Sequence, residues 1–340
     1  MVENIIFVVV EGMGSPSVYS KELSKRLKVE TKRIREWTSF SEAFRFATYL
    51  LNTKNKIFHF PTQFFGKFIH FTRSAIITVH DLYDTAYFPD SHLNIKRRLY
   101  SLLDRKGIKK AVHIICPSNF TKQEVIRYLG IDSEKISVVY NGIDHDLFKP
   151  QKNESIELDY ILFVGSEQPR KNLETLLKAF YKVKKDNRFR KLKLLKVGNP
   201  EKEKYRKKTL RIINELGLKK DVLFTGYVKS EELPIYYSNA KCFVLPSLCE
   251  GFGLTPIEAM ACGCPVIVSS AGSLPEVVGD AGIIKNPHDV EGFAEAIKEL
   301  LTNDGLREDL IKKGFRRAKL FSWDKTAEYI NEIYKKLPEK

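Results

Sequence analysis

Short apolar runs alternate with amphipathic stretches along almost the whole chain, and they do so in two series. In the first, NIIFVVV at 4–10 leads, and further apolar runs recur at 56–60, 75–79, 112–116 and 136–140. Stretches with helical spacing lie at 17–29, 40–51, 93–109 and 119–129. Asn141-Gly142 marks a turn, and a polar segment follows. The alternation then restarts with strands expected at 160–164, 192–197, 222–225, 241–245 and 265–269. Continuous apolar runs of this length, each separated by a helix, build parallel sheets covered on both faces. The fold class predicted is α/β, with two doubly wound, Rossmann-like domains facing across a cleft. The boundaries read as 1–145 for the first domain, 146–158 for a linker and 159–322 for the second domain. A final amphipathic helix in 323–340 is expected to pack back on the first domain. A length of 340 residues suits two domains.

Composition excludes several classes. Hydrophobic residues make up 43% and charged residues 29%, which rules out disordered and collagen-like chains. The longest aliphatic or aromatic run, Ile5 to Val10, is far short of the roughly 18 residues a spanning helix needs. The first residues lack the basic n-region of a secretory signal. Five cysteines without framework spacing point to a reducing compartment, so a cytoplasmic location is expected. The net charge of +15 is spread over both halves. Two clusters, 21–35 and 96–110, carry seven basic residues each against two and one acidic. They read as solvated helix faces or as a patch for an anionic membrane, placing the protein peripherally at the membrane inner face. No zinc-finger spacing or aromatic RNA-binding motif accompanies them, so no nucleic acid is expected.

The densest chemistry lies at PSLCEGFGLTPIE, 246–258. A strand runs through a glycine-bearing loop into a helix, with Thr255 placed to cap it and Pro256 suited to its first position. The glycines admit a ligand close to the backbone, and amides at a helix N-terminus bind phosphate. Glu250 and Glu258 flank the loop; carboxylates repel phosphate, so they are expected to face hydroxyl groups. Thr255-x-x-Glu258 also fits a capping box. In ILFVGSEQPRKNL, 161–173, a strand ends at Gly165, and Arg170 and Lys171 follow as partners for a diphosphate. In the first domain, EGMGS places Gly14 in a loop after the first strand, and His80-Asp81 follows another strand directly. Asp144-His145-Asp146 lies in a predicted connecting segment, and Cys249, Cys262 and Cys264 lack a second ligand pair at zinc spacing, so no metal site is expected.

Together these stretches resemble the retaining glycosyltransferases of family 4, which have the GT-B fold. EGFGLTPIE resembles that family's E-x7-E motif. VHDLYDTAYFP at 79–89, CPSNFTKQEVIRYLGIDSEKISVVYNGID at 116–144, ILFVGSEQPRKNLETLLKAF at 161–180, VLFTGYV at 222–228 and AMACGCPVIVSSAGSLPEVVGDAGI at 259–283 resemble it in order. The resemblance implies a nucleotide-sugar donor held by the second domain and a glycan or lipid-linked acceptor. It implies that Arg170 and Lys171 bind the donor diphosphate with backbone amides around Gly253, Leu254, Thr255 and Gly14. Glu258 would then bind ribose hydroxyls, Glu250 would lie against the transferred sugar, His80 would contact that sugar, and Tyr227 and Val228 would border the base. No cofactor and no essential metal are implied. Many family members carry an arginine where this chain has Ser166, and the first domain is short. Two other readings fit the same pattern: a GT-B nucleotide-sugar epimerase, and a non-catalytic polyanion-binding protein on that fold.

Overall fold

A computed structural model describes residues 4–12, 15–35, 40–83, 95–151 and 158–337. The chain divides into two units, Met1–Gly142 with Trp323–Lys340, and Ile143–Ser322. Of the expected linker, Phe148 is buried in the core of the second unit, and 152–157 lie outside the described residues.

The first unit holds strands β1 (Ile5–Glu11), β2 (Glu30–Arg35), β3 (Ile57–Phe60), β4 (Ala75–Thr78), β5 (His113–Cys116) and β6 (Ile136–Val138). They form one parallel sheet in the order β2-β1-β3-β4-β5-β6. Around it lie α1 (Ser15–Ser24), α2 (Phe40–Asn52), α3 (Ile95–Lys110), α4 (Asn119–Leu129) and a 3-10 segment, Gln63–Phe71. Side chains alternate across a strand, and β1 shows it plainly. Ile6, Val8 and Val10 join one core, whereas Ile5, Phe7 and Val9 join the other. Both faces are apolar because both are covered.

The second unit holds β7 (Tyr160–Val164), β8 (Lys193–Val197), β9 (Val222–Gly226), β10 (Cys242–Leu245), β11 (Val266–Ser269) and β12 (Gly282–Lys285), parallel in the order β12-β11-β10-β7-β8-β9. Its helices are α5 (Leu173–Lys184), α6 (Glu203–Glu215), α7 (Leu233–Asn239), α8 (Leu254–Ala261), α9 (Leu274–Val278), α10 (Val290–Thr302) and α11 (Asp304–Ala318). The last helix, α12 (Trp323–Lys336), returns to the first unit. Trp323, Ala327, Ile330 and Tyr334 recur at helical spacing and are buried against the face that holds Phe7 and Val9.

Short 3-10 turns aside, four elements of the described residues escape the sequence reading. The basic stretch 21–35 is not one helix face, because its second half is the edge strand β2. There Thr31 and Arg33 are exposed, Lys32 and Ile34 are half-buried, and the Lys32 ammonium sits 4.2 Å from the Tyr49 ring centre. Charge on an edge strand discourages pairing with other chains. The 3-10 segment, β12 and α9 are the others.

Candidate active site

In an open α/β sheet, ligands bind at the carboxyl ends of strands where the strand order reverses. In the second sheet that reversal lies between β7 and β10: β8 and β9 continue on one side, β11 and β12 on the other. The two motifs singled out from the sequence are the loops leaving these two strands.

The loop after β7 turns through a 3-10 turn, Pro169–Lys171, and into α5 at Asn172, which has φ 54°. Asn172 fixes the loop by donating from Nδ2 to the carbonyls of Pro246 (2.9 Å) and Pro287 (2.7 Å). The Leu248 amide donates to the Arg170 carbonyl at 2.7 Å, tying the two loops together. This strapping carries two cations to Glu250, which is 7% exposed. Lys171 Nζ lies 2.6 Å from Glu250 Oε1, and Arg170 Nη1 lies 3.3 Å from Oε2. Ser247 Oγ donates to the same Oε1 at 2.7 Å. Burial alone raises the Glu250 pKa; the charges of Lys171 and Arg170, with the two hydrogen bonds, outweigh it and hold the carboxyl below its usual value. Two cations to one carboxylate leave the cluster net positive.

The loop after β10 is held from below. Ser273 donates its amide and hydroxyl to the Glu250 carbonyl and its hydroxyl also to the Phe252 carbonyl. Gly272 lies so close that a Cβ there would stand 2.5 Å from the Glu250 carbonyl oxygen, so only glycine fits. The chain enters α8 through Gly253, with φ 101° and no side-chain cap. The positive φ turns the backbone into the helix before Thr255 is reached. Three expectations are corrected here. Thr255 is the second helical residue rather than the cap, and Pro256 follows it rather than opening the helix. Nor does Glu258 close a capping box: its Oε2 accepts from the buried Tyr237 hydroxyl at 2.9 Å. Burial lifts the Glu258 pKa to about 7, and the Tyr237 bond partly opposes this. An uncapped helix start presents unsatisfied amides and the positive end of its dipole.

Arg170, Lys171, Glu250 and Gly253 thus share two strapped loops, and Leu254, Thr255 and Glu258 sit on the helix that follows. Tyr227, 62% exposed, and the buried Val228 lie past the carboxyl end of β9, two strands from β7. Gly14 lies outside the described residues. Asp144 Oδ1 accepts the amides of Asp146 and Leu147, and His145 Nε2 contacts the Phe321 carbonyl, so that triplet is engaged in a local turn. All five cysteines are free and buried.

His80 belongs to the first unit, just past β4. Its amide donates to Gln63 Oε1 at 3.1 Å, and its Nε2 lies 2.8 Å from the Pro61 carbonyl. A carbonyl only accepts, so Nε2 carries the proton and Nδ1 is an acceptor. Burial lowers the pKa, against the Pro61 bond, so the ring is neutral. Its ring packs edge-on against Tyr19 at 4.8 Å. From Tyr19 a buried chain continues: Tyr19 hydroxyl to Thr78 Oγ1 (3.0 Å), Thr78 to His59 Nε2 (2.9 Å), and His59 Nδ1 to the Tyr334 hydroxyl on α12 (2.6 Å). Burial drives the His59 pKa down to about 3. Sequence reasoning missed His59, as it missed Ser247, Ser273 and Asn172. A histidine inside IFHF was the available signal, because a polar residue in a fully apolar strand needs partners.

Comparison with known proteins identifies the family and the fold. Residues 144–317 match the family of glycosyl transferases group 1, and residues 21–147 match Glycosyltransferase Family 4. The O-antigen chain mannosyltransferase B of Escherichia coli is 31% identical over 298 residues, 85% of this chain and 76% of that protein. The O-antigen chain mannosyltransferase RfbU of Salmonella typhimurium is 34% identical over 228 residues, 67% of this chain and 61% of that protein. Among solved structures, a sucrose-phosphate synthase from Thermosynechococcus elongatus superposes with a TM-score of 0.81 at 21% identity, covering 98% of both chains. HepE of Anabaena, in complex with UDP and glucose, gives 0.82 at 18% identity, covering 98% of this chain and all of that one. The fold class expected from the sequence, GT-B with two doubly wound α/β domains, is the one found.

Proposed function

Because the chain belongs to the group 1 glycosyl transferases, we propose that it moves a hexose from a UDP- or GDP-linked donor to an acceptor hydroxyl, with retention at the anomeric carbon. The observation that carries this reading is the net-positive cluster of Arg170, Lys171 and Glu250 beside the uncapped start of α8. The acceptor is a glycan or lipid-linked saccharide, and the reaction belongs to polysaccharide biosynthesis. The O-antigen mannosyltransferases among the relatives support that class and make mannose the first sugar to test. Five free, buried cysteines support a cytoplasmic site of action.

In this reading the diphosphate meets Arg170 and Lys171 together with the amides of Gly253, Leu254 and Thr255. As the sugar–phosphate bond breaks, negative charge grows on the leaving phosphate. Preorganised cations and amides stabilise that charge without waiting for solvent to reorganise. Glu250 keeps the two cations in register and lies beside the sugar as it gains oxocarbenium character. Glu258 accepts from the ribose hydroxyls, and Tyr227 and Val228 border the base. The neutral His80 offers Nδ1 as an acceptor for a sugar hydroxyl. The acceptor hydroxyl attacks from the face the phosphate leaves, and the departing phosphate oxygen takes its proton.

The deciding assay supplies labelled GDP- and UDP-hexoses with a saccharide acceptor and follows label and anomeric configuration. Transfer with retention is expected. An inverted product rejects the mechanism, and an epimerised sugar without transfer rejects the reaction class. With cations supplied by the side chains, turnover is expected to persist in excess EDTA; loss of activity that only a divalent cation restores would overturn the metal-independent reading.

A further inference from the structure

The inner face of α3 is fixed against the 3-10 segment Gln63–Phe71. Gly107 is in backbone contact with Gly66, where a Cβ would stand 1.7 Å from the Gly66 carbonyl oxygen. Ile108 and Ala111 enter the core. The helix's one acidic residue, Asp104, accepts the Lys67 amide at 2.7 Å and lies 3.5 Å from the Lys67 ammonium. The outer face is different. Leu99 (54% exposed), Leu102 (47%), Lys106 and Lys109 recur at i, i+3, i+7 and i+10, which aligns them in one exposed stripe. Arg98, Tyr100 and Lys110 are exposed as well. The Lys67 ammonium, 5.7 Å from the Tyr100 ring centre, links the helix to the neighbouring segment, where Phe64 is 54% exposed.

Leucines exposed in register with lysines make two demands at once. The apolar side chains require a non-aqueous phase, which a polyanion such as a nucleic acid or a charged glycan does not supply. The lysines require anions, which an ordinary apolar protein face does not supply. The headgroup boundary of an anionic bilayer offers both. We propose that the outer face of α3, with the adjoining Phe64, seats the protein peripherally on a membrane surface rich in anionic phospholipid. Among the described residues no helix is long and apolar enough to cross a membrane, so attachment there is by a face and not by a span. This surface belongs to the first unit, and the inference does not rest on the donor chemistry.

The test is co-sedimentation of the full chain with vesicles of phosphatidylcholine alone and of phosphatidylcholine with about 30 mol% phosphatidylglycerol. Binding is expected only to the anionic vesicles and is expected to weaken with salt. The variants L99S/L102S and K106Q/K109Q are each expected to lower the partition coefficient about ten-fold. The control K207Q/K219Q, which changes exposed lysines of the second unit, is expected to bind as the parent does. Equal binding to both vesicle types overturns the proposal, as does unchanged binding by the two α3 variants. A concentration-dependent dimer without lipid, lost in L99S/L102S, assigns the face to a second copy instead. Circular dichroism of each variant checks that the fold is retained; all four positions are exposed, so no loss is expected.

Discussion

Two carboxylates in the second unit each meet two cations near the carboxyl end of β7, yet they are built differently. Glu250 is ion-paired with Arg170 and Lys171, whose side chains remain 22% and 14% exposed. Glu167 is ion-paired through Oε1 with Lys196 (3.1 Å, side chain fully buried) and Arg206 (2.7 Å, 20% exposed). The Arg206 guanidinium also lies 4.1 Å from the Phe224 ring centre. Glu167 Oε2 accepts no hydrogen bond, and burial pulls the Lys196 pKa down despite the nearby Glu167. The first cluster borders solvent and exceeds its carboxylate by one positive charge, so it can take on an incoming anion. The second has the same charge count, but its Lys196 and Glu167 side chains are sealed from solvent, and the Lys196 ammonium also donates to the Gly198 carbonyl. On the proposed function, the comparison teaches that accessibility, rather than charge count, separates a binding cluster from a structural one.

Exchanging the damage between the clusters tests that contrast most strongly. Lys171→Ala and Glu250→Ala are each expected to lower transfer by about 10³-fold, as removal of a preorganised charge partner does. Both are expected to stay folded, because the remaining cations reach solvent. A variant that keeps full turnover removes Lys171 or Glu250 from the site. Glu167→Ala is expected to do the reverse. It strands Lys196 as a buried, unpaired charge, a loss of about 3–5 kcal/mol, seen as a melting point lower by about 10 °C. Turnover by its folded fraction should match the parent. The double change Glu167→Leu with Lys196→Met should recover most of that stability, since an apolar pair of similar volume replaces the ions. If it does not recover, the ions hold the fold by more than mutual neutralisation.

A smaller effect follows from Glu258, whose pKa rises from 4.5 to about 7 on folding. A carboxyl held protonated in the native state takes stability away once the unfolded chain ionises. Stability is therefore full below about pH 4.5, falls as pH rises toward 7, and is level above. Glu258→Gln removes that dependence, so it should raise the melting point at pH 8 and leave it nearly unchanged at pH 4. Equal shifts at both pH values would place the Glu258 titration elsewhere.

Much of this was legible in the chain because parallel strands buried on both faces are apolar runs, and β7, β8 and β10 stand out as such. β2 did not stand out, because an edge strand with charged side chains has no apolar run. The 3-10 segment QFFGKFIHF carries its buried Phe65, Phe68 and Ile69 at i, i+3 and i+4, but nine residues directly after β3 give too short a run to stand out from a loop. The cations and the glycine loop were visible as separate motifs. Their meeting was not: Arg170 and Glu250 lie 80 positions apart, and sheet order alone makes their loops neighbours. The sequence also suggested that Thr255 caps α8, since Thr-x-x-Glu is a strong local signal. Gly253 turns the chain two residues earlier, and the buried Tyr237 claims the glutamate.

The return of α12 to the first unit gives the fold a temporal order. During synthesis the first sheet emerges from the ribosome long before Trp323, Ala327, Ile330 and Tyr334 exist to cover one of its faces. The whole second unit is made in between and has its own complete core. The nascent first unit therefore waits with an uncovered apolar flank, and His59 waits for the Tyr334 hydroxyl, until the last turns of helix are translated. Chains stopped short of residue 323 should be the ones that chaperones retain.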